Sequence, residues 1–431
     1  MLVVGGIIGS GIFLNPAIVA QRVGSPRLIM GTWALGALVA LLGAFIFAEL
    51  GARAPAAGGG YVYLRDAFGR LPAFLYGWAL LTAIATGAAA AVAVTFASYA
   101  APLLGLPPVA ERWLAGGAIV LLSVVNALGV RPGTLTQNVF TVLKLAAIAA
   151  LVGGALTHGG REPVATFATA DIIVPHGFWR VAVAVGTALV PVLFAYGGWQ
   201  QTNFVAEEMI APERNLPRAL VAGVALVAVV YLAVNLTYLR SLGVPALAAS
   251  RAPAADVMAS AFGPVGRRLI AAGIAVSTFG FLNLVILVSP RVYQAMARDG
   301  LFFARFATLH PRYRTPVGAI ATQGGWAVVL LFSGSYGQLL DWVTFADWIF
   351  FAVTAATLVV YRRRAQGRIS AQFRAPWYPA SVLLFVLACV YVVAGSIVSN
   401  PGNALRGAML LLAGVPLFHW WSRRRPAKFS A

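Results

Sequence analysis

The hydrophobic and polar positions of this chain form long apolar runs separated by short segments that hold most of the arginines. Each run is close to the ~20 residues that a helix needs to cross a bilayer. Twelve runs are predicted to be helical spans: Leu2–Val19, Leu28–Leu50, Pro72–Tyr99, Trp113–Leu128, Val139–Thr157, Phe178–Glu207, Leu220–Leu239, Leu269–Val292, Val317–Ser333, Leu339–Tyr361, Ala380–Ser399 and Leu405–Trp421. An even number of spans puts both ends of the chain on the same side of a membrane.

Composition agrees with this pattern. Of 431 residues, 60% are hydrophobic and 10% charged, more apolar surface than a soluble fold of this length can bury. An all-α integral membrane protein is therefore expected, with the whole chain, 1–431, as one transmembrane domain. The formal net charge of +19 does not point to nucleic acid, because the arginines lie in short loops between apolar runs. Twenty of the basic residues, among them Arg362–Arg364, Arg368, Arg423–Arg425 and Lys428, fall on the side shared by the termini. Ten, among them Arg161 and Arg240, fall on the other. This two-to-one bias predicts that both termini are cytoplasmic, with the arginine runs as anchors beside anionic lipid. No basic segment precedes the first apolar run, so that run is expected to stay in the mature protein. The single cysteine, Cys389, excludes an intrachain disulfide, and the four histidines are too far apart for a metal set. No cofactor or metal is expected.

Two runs are interrupted. In the first, Gly9-Ser10-Gly11 weakens a helix at membrane depth. In the sixth, Gly197-Gly198 does the same after Phe194-Ala195-Tyr196. A glycine pair also permits close helix packing of the small-xxx-small kind, as Gly5 and Gly9 do, and either interruption taken alone fits that reading. Two interruptions five spans apart point instead to an inverted-repeat transporter with its site at the midplane. The first repeat would be residues 1–157 and the second 178–365, with helices 11 and 12 in 376–421. Broken helices expose N-terminal amides that attract anions and C-terminal carbonyls that attract cations. A small zwitterion presents both charges.

Charged residues inside the runs are the next candidates. Lys144 sits within the fifth run, where a lysine costs about 2.5–3.5 kcal/mol on insertion scales and should face protein. Snorkelling to the nearby interface is the alternative. Asp347, in the tenth run, is either a functional carboxylate or a hydrogen-bonded packing residue. Gln200 and Gln201 follow the second interruption and are candidates, with Asp347, for a side-chain pocket. Glu49, Glu207 and Glu208 lie at span ends, where arginines such as Arg53 and Arg214 are expected to pair with them. No catalytic residues are predicted: Gly-x-Ser-x-Gly, His-Glu-x-x-His and paired His/Asp at helical spacing are all missing from the sequence. Nothing repeats as the charge or carbonyl rings of a channel would.

Over most of its length the chain resembles the amino acid–polyamine–organocation superfamily, in particular its L-type amino acid transporter branch. The resemblance rests on Ile7-Ile8-Gly9-Ser10-Gly11-Ile12-Phe13 and on Phe194-Ala195-Tyr196-Gly197-Gly198-Trp199 through Asn203-Phe204-Val205-Ala206-Glu207-Glu208-Met209. Arg214-Asn215-Leu216-Pro217, Ala48-Glu49-Leu50-Gly51 with Gly58-Gly59-Gly60-Tyr61, and Ser289-Pro290-Arg291 through Asp299-Gly300 extend it.

The resemblance implies a leucine-transporter-like fold of five plus five helices in inverted repeat, with helices 1 and 6 broken and two helices added at the C-terminus. It implies a secondary active carrier working by alternating access. The substrate carboxylate would meet Ser10 and the amides of Gly9 and Gly11, and the ammonium the carbonyls of Ile7, Phe194 and Gly197, with Ala195 beside them and Phe194 as a gate. Lys144 would take the place of a sodium ion, near the first span's carbonyls and Ser277 or Thr278, making transport sodium-independent. Neutral L-amino acids are the favoured substrates, and cationic amino acids or polyamines held by Asp347 are the alternative. Exchange and proton-coupled uptake both remain open. The loop from Ala101 to Arg112 lacks the cysteine that joins animal members to a heavy subunit, so no disulfide-linked partner is expected. The expected partners are the small-molecule substrate and membrane lipid, with no nucleic acid, in a monomer of a bacterial inner membrane.

Overall fold

The computed structural model describes residues 1–129, 131–158, 174–364 and 372–424; Arg161, Arg368, Arg425 and Lys428 of the basic count lie outside them. Every regular element among the described residues is helical. The first apolar run is divided into α1 (Leu2–Ile7) and α2 (Gly11–Val23). Gly24 ends α2 at a φ of 62°, and Pro26 opens α3 (Pro26–Arg53), where its missing N–H costs nothing. The short α4 (Gly60–Phe68) lies between α3 and α5 (Arg70–Ala79). A single π turn, Leu80–Ile84, joins α5 to α6 (Ala85–Leu103). Next come α7 (Glu111–Ala127), α8 (Arg131–His158) and α9 (Phe178–Tyr196). A 3₁₀ stretch, Trp199–Glu208, follows α9 and leads to α10 (Pro212–Ala249). The rest comprises α11 (Pro253–Val288), α12 (Pro290–Arg298), α13 (Val317–Ser333), α14 (Tyr336–Arg364), α15 (Ala380–Ser399), α16 (Pro401–Leu412) and α17 (Gly414–Arg424).

Nine helical stretches among the described residues are long and apolar enough to cross a membrane, and α13 is a shorter apolar helix of 17 residues. The first and last predicted spans are not among the nine. Leu2–Val19 is split at Ile8–Ser10, and Leu405–Trp421 is divided at Ala413 between α16 and α17. Two helices run well past the spans expected for them. α10 continues through Gly243 (φ 70°) and α11 begins before Gly263 (φ 63°), so each carries a kinked extension. Hydropathy marks only the lipid-crossing part of a helix, and Pro212 and Pro253 start these two in the flanking segments.

Packing divides the bundle into two apolar cores. One gathers α1 to α3, α8 to α10, the first part of α11 and α15; the other gathers α4 to α7, α12, α13 and the end of α11. α14 contributes to both, through Trp348 and Phe351 on one side and Val343 and Phe350 on the other. Phe194, at the end of α9, packs against both cores and so lies on their seam.

Candidate functional site

The helix axis is lost at Ile8, whose ψ of 90° turns its carbonyl out of the α1 ladder, and it restarts at Gly11. The second interruption mirrors the first. Gly197 is extended and Gly198 takes a φ of 102°, which only glycine adopts without strain. The two interruptions pack on each other. A Cβ at Gly198 would overlap the Gly6 carbonyl oxygen, and one at Gly11 would fall 2.6 Å from Ala195 Cα. Asn15 Nδ2 donates to Pro191 O at 2.7 Å and holds α2 against α9. The glycines thus serve both readings of the sequence: they break each helix and let the broken segments touch.

Several of the released carbonyls are met by side chains. Lys144, with no exposed surface, donates from Nζ to Gly5 O (3.0 Å) and Ile8 O (2.8 Å). It is therefore turned into the protein rather than snorkelling. Neither predicted neighbour on α11 shares this bond: Thr278 Oγ1 donates to Ile274 O and Ala275 O of its own helix, and Ser277 Oγ has no hydrogen bond. Tyr231 Oη lies 3.2 Å from Ile7 O and 3.1 Å from Ala195 O, so one hydroxyl bridges the two interruptions. The Tyr231 ring is fixed by Trp33 and Tyr196, with centroids 5.8 and 5.0 Å away.

Between the two interruptions lies a cavity of about 50 Å³. It is lined by Ile7, Gly9, Ser10, Gly11, Phe194, Ala195, Gly197, Gln200, Gln201 and Asp347, so ten of the thirteen predicted site residues meet in one place. Lys144, Ser277 and Thr278 are not in the lining. Ser10 Oγ is buried without a hydrogen-bond partner. Gln200 Oε1 accepts from Gly198 N at 2.9 Å and its Nε2 faces Asp347 Oδ2 at 3.4 Å.

Several lining residues were not singled out by the sequence. Leu80, Ile84, Ala85, Ala88 and Val92 come from the wall that contains the π turn, Phe281 from α11, Ser289 from the junction of α11 and α12, and Val343 and Thr344 from α14. Such residues look like ordinary span residues in sequence. Tyr231 carried a signal that went unread: a fully buried tyrosine in an apolar helix needs a partner for its hydroxyl.

The face of the bundle that carries α4 is tied together by ion pairs. Glu49, with no exposed surface, pairs with Arg53 (2.7 Å) and Arg362 (2.6 Å) and accepts from Ala375 N. Asp299 accepts from Tyr61 Oη and Arg65 Nη1, both at 2.7 Å, which fastens α4 to the end of α12. Burial and then the Asp299 carboxylate push the Tyr61 phenol well above its usual range, so it remains a neutral donor. Glu208 pairs with Arg291 rather than Arg214, and Glu207 accepts from Ala57 N.

No cluster of three His, Cys, Asp or Glu suited to a metal occurs among the described residues. A many-helix membrane bundle with a cavity between two broken helices has the architecture of a solute carrier. The particular family follows from sequence. Residues 1–418 match the amino acid permease family model, and the chain belongs to that family. It is 30% identical to the serine/threonine exchanger SteT of Bacillus subtilis (strain 168) over 427 residues, covering 98% of this chain and 95% of SteT. It is 30% identical to b(0,+)-type amino acid transporter 1 of Mus musculus over 419 residues (96% of this chain, 84% of that one). Large neutral amino acids transporter small subunit 2 of Homo sapiens is also 30% identical, over 452 residues (100% and 80%). The protein is a multi-pass membrane transporter of amino acids and not an enzyme.

Proposed function

We propose that this protein is a sodium-independent carrier of neutral L-amino acids that works by alternating access, as an exchanger. The observation that carries this reading is the bonding of Lys144. Its ammonium sits against the Gly5 and Ile8 carbonyls, where a bound metal cation would otherwise neutralise the end of α1. A site with its own fixed cation has no need of sodium. The zwitterion fits the remaining polarity. Its carboxylate would lie at the start of α2, against the Gly9 and Gly11 amides and Ser10, and its ammonium against the Ile7, Phe194 and Gly197 carbonyls, with Ala195 alongside and Phe194 closing the seam.

In this reading the chain has twelve spans. Residues 1–157 and 178–365 form inverted repeats, and 376–421 supply helices 11 and 12. Both termini face the cytoplasm of a bacterium, and the arginine bias of the loops supports that orientation. Cys389, the sole cysteine, is buried, which supports a carrier without a disulfide-linked subunit, and in this reading it works as a monomer.

Counterflow into proteoliposomes tests the reading. Liposomes preloaded with unlabelled serine, alanine or leucine should accelerate uptake of the same labelled amino acid at least tenfold over empty liposomes. Replacing sodium by choline should leave the rate unchanged. Strict sodium dependence would overturn the role given to Lys144.

A further inference from the structure

We propose that the side-chain end of the cavity selects a small substrate side chain bearing a hydroxyl group, and that Asp347 and Thr344 set this specificity. The proposal rests on the carrier reading above and narrows its substrate class.

The geometry begins with Gln200. Its Oε1 is committed to Gly198 N, so its Nε2 is the end turned toward Asp347. That contact, at 3.4 Å, is long and engages only Oδ2. No lysine, arginine or histidine lies within ion-pair distance of Asp347 among the described residues. A 9% exposed carboxylate on a cavity wall, served by one weak donor, is an acceptor awaiting a donor. Thr344, three residues earlier on α14, occupies the same helix face and lines the same cavity, and its Oγ1 has no hydrogen-bond partner. The same cavity is also lined by the apolar Leu80, Ile84, Ala85 and Ala88.

A hydroxyl group answers both features. It donates to Asp347 and accepts from Thr344, while its methylene or methyl group meets the apolar wall. An aliphatic side chain would cover Asp347 and leave it unserved. Size points the same way: the whole cavity is about 50 Å³, which favours a small side chain over the long ones of lysine or arginine.

Threonine and valine are isosteres that differ by hydroxyl for methyl. Purified full-length protein in proteoliposomes would take up one labelled amino acid in competition with the other. The ratio of their specificity constants does not depend on how much protein is active. The parent protein should favour threonine by about tenfold or more, since a site built to bond a hydroxyl rejects the analogue lacking it. Asp347→Leu should bring the ratio within threefold of one, and Thr344→Val should lower it at least threefold. If Asp347→Leu fails to fold, Thr344→Val, an isosteric change, still decides the matter. A parent ratio near one, a ratio unaltered by Thr344→Val, or ornithine taken up faster than threonine would each overturn the proposal while leaving amino acid transport intact. Failure of the parent protein to carry any amino acid would overturn the carrier reading as well.

Discussion

Lys144→Met tests the physics of the first interruption most directly. Methionine keeps the apolar stem and removes the ammonium, so Gly5 O and Ile8 O lose the donors now at 3.0 and 2.8 Å. Hydrogen bonds to a charged group contribute about 1.5–3 kcal/mol each, so the break loses about 3–6 kcal/mol of support. The cost of burying an ammonium group with no exposed surface disappears at the same time, and that is also several kcal/mol. The two terms nearly cancel for folding but not for the geometry of the break, which the hydrogen bonds help to hold and the desolvation cost does not. Three kcal/mol corresponds to a factor of about 100 in a conformational equilibrium. Serine counterflow should therefore fall about 100-fold in kcat/KM, while the thermal midpoint in detergent moves by a few degrees only. Transport within threefold of the parent would refute the reasoning. So would a loss of uptake that merely follows a collapse of the thermal midpoint.

Gly198→Ala should abolish counterflow, because the new methyl would overlap the Gly6 carbonyl oxygen at a backbone φ of 102°. Gly31→Ala, on an open face of α3 with nothing within 4 Å, should leave it unchanged in the same assay. Tyr231→Phe keeps the ring packing and removes the bridge between Ile7 O and Ala195 O; KM for substrate should rise about tenfold, for a loss of about 1–2 kcal/mol. Glu49→Gln leaves Arg53 and Arg362 without their shared carboxylate and should cost about 3 kcal/mol of stability, read as a lowered thermal midpoint with purified protein.

The parts of this architecture that were legible in the sequence are those that offend the membrane. Gly9-Ser10-Gly11 and Gly197-Gly198 weaken helices where lipid favours them, and Lys144 and Asp347 place charge where lipid opposes it. Each leaves a mark in a single sequence, and all lie at or beside the cavity. The wall from Leu80 to Val92 leaves none, because alanine, leucine and isoleucine serve equally well facing lipid, core or substrate. The π turn at Leu80–Ile84 likewise has no compositional signature, since its residues are those of any span. The offset between predicted spans and observed helices has a similar origin: lipid contact sets hydropathy, but capping and proline placement set where a helix starts and stops. Of the bonds on the α4 face, the Glu49–Arg53 pair was foreseeable, because the two lie one helical turn apart; Arg362 on Glu49 and Tyr61 on Asp299 were not, because they come from segments distant along the chain.

Tyr231 has one hydrogen to give and two carbonyl groups asking for it. The hydroxyl can donate to Ile7 O or to Ala195 O but not fully to both, so the two broken helices share a single donor. A positively charged group arriving at one oxygen ends the contest and assigns the hydrogen to the other. Cargo would then satisfy both helices together, and its departure would return them to rivalry.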